Sequence, residues 1–424
     1  MDNLSRSRLQ GGLKMEYEVR CWECHRLVED PYLDSCPACG GLLEVSLDLE
    51  PVKDLKPQDL RVRPLGVWRY QPLLPVNPDY AVTLQEGGTP LYQCSNLASE
   101  FAVRDLRVKY EGANPTGSFK DRGMTVGITH AMEIGATIVG CASTGNTSAS
   151  LAAYAAKAGI GCVVLLPEGK VAQGKLAQAM FYGAKVVSIE GNFDDALSTV
   201  RELAEQRFLY LLNSINPFRP EGQKSVLFEI MDQLYYDLPD RIILPVGNAG
   251  NISAVHKALK ELLEIGWIDE MPMLTGIQAS GSMPLVRAFR KGSRQFDPEP
   301  SPETVATAIR IGNPVSGKKA LDAIYSTNGY ATDVSDEEIL AAQIALARKE
   351  GVAVEPASAA SLAGVKKLRE EGIIDRDEKL VCICTGNGLK DPDAMMSQCS
   401  RPLRARPSAE AVIAALHTLE IEQA

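Results

Sequence analysis

From Leu106 onward the chain settles into a rhythm that few folds can satisfy: short β-branched runs alternate with Ala-rich runs of helical periodicity. The runs RVKYE (107–111), TIVGCA (137–142), CVVLLP (162–167), KVVSI (185–189), RIILPV (241–246), MLTGIQA (273–279) and KLVCICT (379–385) read as strands. Segments 147–158, 174–182, 193–206, 222–235 and 252–263 between them read as helices. A parallel strand pair needs a long crossover, usually a helix, so the alternation predicts an α/β fold with mostly parallel sheets. One sheet of this many strands is less expected than two, so two open, twisted sheet units facing each other across a cleft are the expectation.

The 424 residues are 45% hydrophobic and 23% charged, the usage of a globular protein. With 44 Lys and Arg against 54 Asp and Glu the net charge is −10, which disfavours nucleic acid and anionic membrane as partners and favours a small-molecule enzyme. No apolar run approaches the ~18 residues of a membrane span, and MDNLSRSRLQGGLKM lacks the apolar core of a secretion signal, so a cytoplasmic protein is expected. The four histidines (His25, His130, His256, His417) are scattered without HExxH spacing, leaving little from which to build a His-based catalytic metal site.

Cys21, Cys24, Cys36 and Cys39 form two Cys-x-x-Cys pairs separated by eleven residues, the spacing of a zinc ribbon. Pro37, Gly40 and Gly41 suit the second turn, and four thiolates leave no open position, so the expected zinc is structural. An unmetallated knuckle is the alternative; a redox pair is disfavoured because neither pair opens a helix after a buried strand. The remaining cysteines are dispersed, several in apolar runs, which argues against a disulfide framework. A Pro-rich stretch, 51–78, reads as extended chain wrapped on a larger body. The tail PSAEAVIAALHTLEIEQA reads as a helix capped by Ser408, with an apolar face suited to docking.

Four segments carry chemistry. NPTGSFKDRG (114–123) places Lys120 in the first turn of a helix opened by a capping-box-like Ser118/Asp121 pair. The positive end of the helix dipole favours the neutral amine, a nucleophile for an aldehyde, with Phe119 beside it to exclude water. ASTGNTSAS (142–150) sets Ser143, Thr144, Asn146 and Thr147 at a strand's carboxyl end, where open α/β sheets bind ligands. PVGNAGNIS (245–253) is a strand, a small-residue turn and a helix, suited to holding a phosphate on backbone amides, though neither a Walker loop nor a Rossmann fingerprint. CTGNGLKDPD (384–393) offers the neutral hydroxyl of Thr385, which would not enforce protonation of a pyridine nitrogen. Taken singly, each has a bland reading as a cap or turn.

Together and in this order they resemble the fold-type II pyridoxal-phosphate enzymes, with their tryptophan synthase β-like architecture, and within them the threonine synthase family. The resemblance also takes in the cysteine ribbon, GVWRY and EGGTPL (86–91), and so covers nearly the whole chain. It implies that Lys120 is the Schiff-base lysine and that Asn146 meets the cofactor's 3-oxygen. Gly247, Asn248, Ala249, Gly250 and Asn251 would cradle the phosphate of pyridoxal 5'-phosphate, and Thr385 would meet the pyridine nitrogen. The implied reaction converts O-phospho-L-homoserine and water to L-threonine and phosphate by β,γ-elimination and replacement, in a homodimer. Expected units are a zinc-ribbon-like segment (1–50), a linker with the start of the large domain (51–115), a small α/β domain (116–210) and a large α/β domain with the terminal helix (211–424). The substrate's anionic groups would find partners among Ser143, Thr144, Thr147, Lys170, Asn213, Arg219 and Lys224.

The nearest rival is a threonine or serine ammonia-lyase of the same fold. Those enzymes resemble SFK-x-RG with an all-glycine phosphate loop, whereas here Asp121 follows the lysine and the loop is GNAGN. A cysteate-synthase-like use of phosphoserine is a further relative. A reading of another class, a catalytically inactive zinc-ribbon binding protein, is weakened by Glu23, Glu29, Asp30 and Asp34, which leave the ribbon no basic face.

Overall fold

The computed structural model describes residues 15–168 and 173–422. Strands β1 (Tyr17–Cys21) and β2 (Leu43–Leu47) pair antiparallel, with Tyr17 opposite Leu47 and Cys21 opposite Leu43. A short edge strand, β3 (Leu91–Gln93), lies antiparallel on β4 (Asp105–Tyr110). The chain then leaves to build a second sheet from β5 (Ile138–Ala142), β6 (Gly161–Pro167), β7 (Lys185–Ile189) and β8 (Tyr210–Leu211), all parallel, in the order β7-β6-β5-β8. It returns with β9 (Arg241–Pro245), β10 (Met273–Ala279), β11 (Tyr330–Val334) and β12 (Lys379–Cys384). The large sheet has the order β11-β10-β9-β12-β4-β3, parallel except at β3.

The centre of the large sheet shows why its strands read as unbroken apolar runs. Every residue of β9 is buried. Ile242 and Leu244 pack in one layer with Val226 and Val255, while Ile243 faces the other way, into the layer of Ala360 and Val365. A strand covered on both faces has no use for a polar residue at alternate positions. The small sheet has its own two layers, one around Val139, Cys141 and Tyr154, the other around Ala142, Leu165 and Val200.

Helix ends follow local chemistry. Asn192 and Asp195 form a reciprocal capping box at Phe193–Glu205, as Ser335 and Glu338 do at Asp336–Glu350. At the tail, the Ala411 amide donates to Ser408 Oγ at 3.2 Å, at the start of helix Ala409–Glu422. Val412, Ile413 and Leu416 on that helix are exposed, so these residues do not make the expected apolar docking within the chain.

The structure departs from expectation elsewhere. The Pro-rich stretch is not extended: it is a series of short 3₁₀ turns, Glu50–Val52, Pro57–Val62, Val67–Leu73 and Pro78–Tyr80. Buried Val67, Tyr70, Leu73 and Leu74 pull it into tight turns, and Trp68 Nε1 donates to Thr125 Oγ1 at 2.9 Å. The helix expected over 222–235 breaks at Lys224 into Arg219–Gln223 and Ser225–Gln233. Strand β11 escapes the apolar pattern because Asp333 serves as an acceptor, for Ser280 Oγ at 2.6 Å and Arg290 Nη2 at 2.5 Å. No helix among the described residues is long and apolar enough to cross a membrane.

Candidate active site

Lys120 is the first residue of helix Lys120–Glu133, but the capping box expected around it does not form. Among the described residues the buried Ser118 hydroxyl has no partner, and Ser118 makes a strand-like bridge to Gly386. The Asp121 carboxylate turns the other way, accepting from the Thr116 amide at 2.7 Å, Thr116 Oγ1 at 2.6 Å and Ser150 Oγ at 2.5 Å. One residue further on, Arg122 is fully buried and reaches Glu111 Oε2 at 2.6 Å and Glu229 Oε1 at 2.7 Å, while Lys109 Nζ lies 2.8 Å from Glu229 Oε2. Two cations and two anions thus lock the start of the lysine helix to β4 and to helix Ser225–Gln233. Breaking one partner of such a buried set costs about 3–5 kcal/mol.

The Lys120 amine sits 4.0 Å from the centre of the Phe119 ring. Burial, and then the nearby Arg219 guanidinium, push its pKa down from 10.5 to about 7, against the opposing pull of Glu355. Near neutral pH a substantial share of the amine is therefore uncharged and nucleophilic, the state the sequence had assigned to the helix dipole.

Strand ends from both sheets converge here. The Phe119 amide donates to the Thr385 carbonyl at 3.0 Å and the Asn387 amide to the Gly117 carbonyl at 2.9 Å, so the lysine loop is stitched to the end of β12. Thr385 Oγ1 lies 3.0 Å from Ser358 Oγ, which fixes the hydroxyl. Asn146 opens helix Asn146–Ala158 after β5, and its Nδ2 lies 3.2 Å from each carboxylate oxygen of Glu355 across the cleft. After β9, Ala249 takes a left-handed φ of 65° to open helix Gly250–Glu264. The amides of residues 247–252 make no bond to a backbone carbonyl among the described residues. Gln223 sits between the two helices: a Cβ added at Gly123 would lie 3.0 Å from its Nε2, and one at Gly250 would lie 3.9 Å from its Oε1.

This donor set fits pyridoxal phosphate. A dianionic phosphate needs several unpaired amides at a helix N-terminus, and the 247–251 turn offers them. Both polar atoms of the Asn251 side chain are also buried without a partner among the described residues. At Gly247 an added Cβ would lie 3.0 Å from the Ile309 Cα, whereas at Gly250 the nearest atom would be Gln223 Oε1 at 3.9 Å, so the turn is tight at its first glycine and roomier at its second. A partly neutral Lys120 would suit an aldehyde, and the Thr385 hydroxyl would suit a neutral ring nitrogen.

Comparison with known proteins agrees with this geometry. A family profile described as pyridoxal-phosphate dependent enzyme matches residues 82–386. The threonine synthase of Methanocaldococcus jannaschii is 62% identical over 388 residues, 91% of this chain and 96% of that protein. The chain belongs to the threonine synthase family of pyridoxal-phosphate-dependent enzymes. The threonine synthase of Mycobacterium tuberculosis is 52% identical over 329 residues, 77% of this chain and 89% of that protein. Among solved structures, the processed form of threonine deaminase isoform 2 from Solanum lycopersicum superposes with a TM-score of 0.64 over 79% of this chain and 94% of that one. At 20% identity that likeness carries the fold alone.

Against the threonine synthase pattern, the expected anion-binding residues fall into distinct groups. Ser143, Thr144 and Thr147 are partly open at the start of the Asn146 helix, with Ser143 Oγ accepting from the Gly145 amide at 3.3 Å. Asn213 is spent on the backbone: it accepts from the Ala142 amide at 2.9 Å and donates to the Ala142 carbonyl at 3.1 Å. Lys224 is already neutralised: its ammonium is buried between Glu221 (2.6 Å) and Glu261 (2.9 Å). Lys170 lies outside the described residues. Arg219 is different: it is 1% exposed, its Nη1 reaches the Leu212 carbonyl at 3.4 Å, and its Nε and Nη2 have no partner among the described residues.

Glu355 and Ser358 were not among the residues singled out from sequence. Their only local signal is an acid before Pro356 at the start of an Ala-rich helix, a common pattern. Burial pushes the Glu355 carboxyl up toward its neutral form, against the Asn146 hydrogen bond and the charges of Lys390 and Lys120.

Proposed function

We propose that this chain converts O-phospho-L-homoserine and water to L-threonine and inorganic phosphate. The observation that carries the proposal is Arg219, a buried guanidinium with two nitrogens unpartnered among the described residues, close enough to Lys120 to depress its pKa. A buried cation without a carboxylate partner is costly unless an anion arrives with the ligand. The 247–251 turn already accounts for the cofactor's phosphate, so the anion at Arg219 is the substrate's own. An ammonia-lyase acting on threonine or serine would bring no second phosphate and would leave this guanidinium unpaired.

In this reading Lys120, Asn146, Gly247, Asn248, Ala249, Gly250, Asn251 and Thr385 hold pyridoxal phosphate. When bound, that group supplies an electron sink for negative charge developing at the substrate's Cα. Lys120 moves protons at Cα and then at Cβ, work suited to a flexible four-carbon amine that is partly neutral at physiological pH. Arg219 holds the phosphate that leaves from Cγ and balances its charge. Ser143, Thr144 and Thr147 offer hydroxyls to the α-carboxylate, and the Phe119 ring beside Lys120 keeps bulk water from the amine. The proton taken from Cβ is replaced by one delivered to Cγ, which becomes the methyl group, and water adds at Cβ, so the products balance as one threonine and one phosphate. The proposal extends to a homodimer, which the family resemblance implies, working in the cytoplasm.

The test is product analysis. Incubation with O-phospho-L-homoserine should release phosphate and threonine in equal amounts, and Lys120→Ala should abolish both. Release of 2-oxobutanoate from threonine without phosphate release from O-phospho-L-homoserine would refute the proposal.

A further inference from the structure

The cysteine ribbon lies apart from the catalytic residues, yet it touches both sheet units. The sulfurs of Cys21, Cys24, Cys36 and Cys39 all lie within 4.8 Å of one another. Cys21 and Cys39 are 3.5 Å apart, Cys24 and Cys36 3.6 Å, and Cys24 and Cys39 3.5 Å. Four thiolates around zinc, each at about 2.3 Å, stand about 3.8 Å from one another along the tetrahedron's edges. The separations match that cage and exceed by far the ~2 Å of a disulfide.

The loop held by these cysteines reaches the small-sheet side through Asp30, 2.9 Å from Arg207 Nη2, and through Asp34, 3.5 Å from Arg201 Nε. Tyr32 packs edge-on against Tyr210 of β8, with ring centres 5.9 Å apart, and lies under the Arg207 guanidinium. On the large-sheet side, Glu23 pairs with Lys318 at 2.9 Å and Glu44 with Lys319 at 2.7 Å, while the Val45 carbonyl accepts from Lys257. Lys318 and Lys319 lie on helix Gly317–Ser326. Just before it, the Ser316 amide donates to the Asn248 carbonyl at 3.1 Å and the Val315 amide to Asn248 Oδ1 at 3.2 Å. The ribbon is thus connected to the small sheet directly and to the phosphate turn through one short helix.

We infer that Cys21, Cys24, Cys36 and Cys39 hold one zinc ion, and that the metal-fixed ribbon is a brace across the cleft, setting the small sheet at a fixed distance from the 247–251 turn. A loop of this size has too small an apolar core to keep its shape unaided, so the metal supplies the rigidity that the ion pairs on either side transmit. The metal site stands independently of the substrate assignment; the coupling rests on the turn holding the cofactor's phosphate.

Elemental analysis of the purified holoenzyme should find one zinc per chain; zinc-free protein with four titratable ribbon thiols would overturn the metal site. Hydrogen exchange of the holoenzyme before and after zinc removal should speed up together in the ribbon, in residues 201–211 and in residues 248–253. Faster exchange confined to the ribbon would overturn the brace. Should zinc removal unfold the chain, Asp30→Asn with Asp34→Asn in the zinc-loaded enzyme decides the matter. That variant should keep one zinc per chain and weaken cofactor binding about threefold, the scale of two partly exposed ion pairs. Unchanged cofactor affinity and unchanged exchange at 201–211 would overturn the brace. A wild-type protein that binds no cofactor at all would instead sink the cofactor reading, leaving the zinc count to stand.

Discussion

Lys120 should be a liability for the cofactor-free protein, and replacing it with Met should reveal by how much. A fall in pKa from 10.5 to about 7 corresponds to about 5 kcal/mol of preference for the neutral amine, at 1.36 kcal/mol per pH unit. Because the folded pKa lies below the unfolded one, the unfolded chain binds more protons between about pH 7 and pH 10.5. Stability of the wild-type apoprotein should therefore rise with pH across that window. Below it both states carry the proton, and the folded state bears the whole cost of a charge beside Arg219. Methionine has nearly the length and helix propensity of lysine without the charge, so helix Lys120–Glu133 should be undisturbed. With relaxation of the open cleft, Lys120→Met should stabilise the apoprotein by about 2–5 kcal/mol at pH 6, with the gap closing toward pH 10. Urea unfolding of both apoproteins at pH 6, 7.5 and 9 measures it. Equal stability at pH 6, or a gap that does not change with pH, would show that the amine is not held toward its neutral form.

Arg219→Ala should lower kcat/KM for O-phospho-L-homoserine by about 30- to 5,000-fold, the 2–5 kcal/mol of a lost buried charge pair, while steady-state kinetics and the visible spectrum show cofactor still bound. Its apoprotein should unfold at no lower urea concentration than wild type, since among the described residues the guanidinium has no acid partner to orphan. Gly222→Ala should destabilise by about 3 kcal/mol or more, measured as a fall in the urea midpoint, because its Cβ would lie 1.7 Å from the Arg122 carbonyl oxygen. Glu355→Ala should raise the cofactor's dissociation constant about tenfold in an absorbance titration, the worth of one buried hydrogen bond, by freeing the Asn146 amide. Glu355→Gln, which keeps a side-chain oxygen to accept from Asn146 Nδ2, should stay within about threefold of wild type.

What could be read from sequence was local. Lys120, Asn146, Gly247–Asn251 and Thr385 each sit where a strand ends in a Gly, Ser or Thr turn, a grammar confined to about ten neighbouring residues. The apolar runs of β9 and β12 likewise announce strands covered on both faces, because burial removes polar residues from both. Tertiary structure decided the rest. Ser118 and Asp121 have the spacing of a capping box, yet Gly386 claims one side of that turn and Thr116 with Ser150 claims the carboxylate of the other. Glu355 looks like any acid at a helix start until Asn146, 209 residues earlier, is brought against it. Lys224 and Arg219 are equally plausible phosphate ligands as letters; folding pairs the first with two carboxylates and leaves two nitrogens of the second bare. Chain neighbours set a residue's backbone conformation, but whether a charge is neutralised depends on groups from distant segments a few ångströms away, and only the packed sheets bring those together.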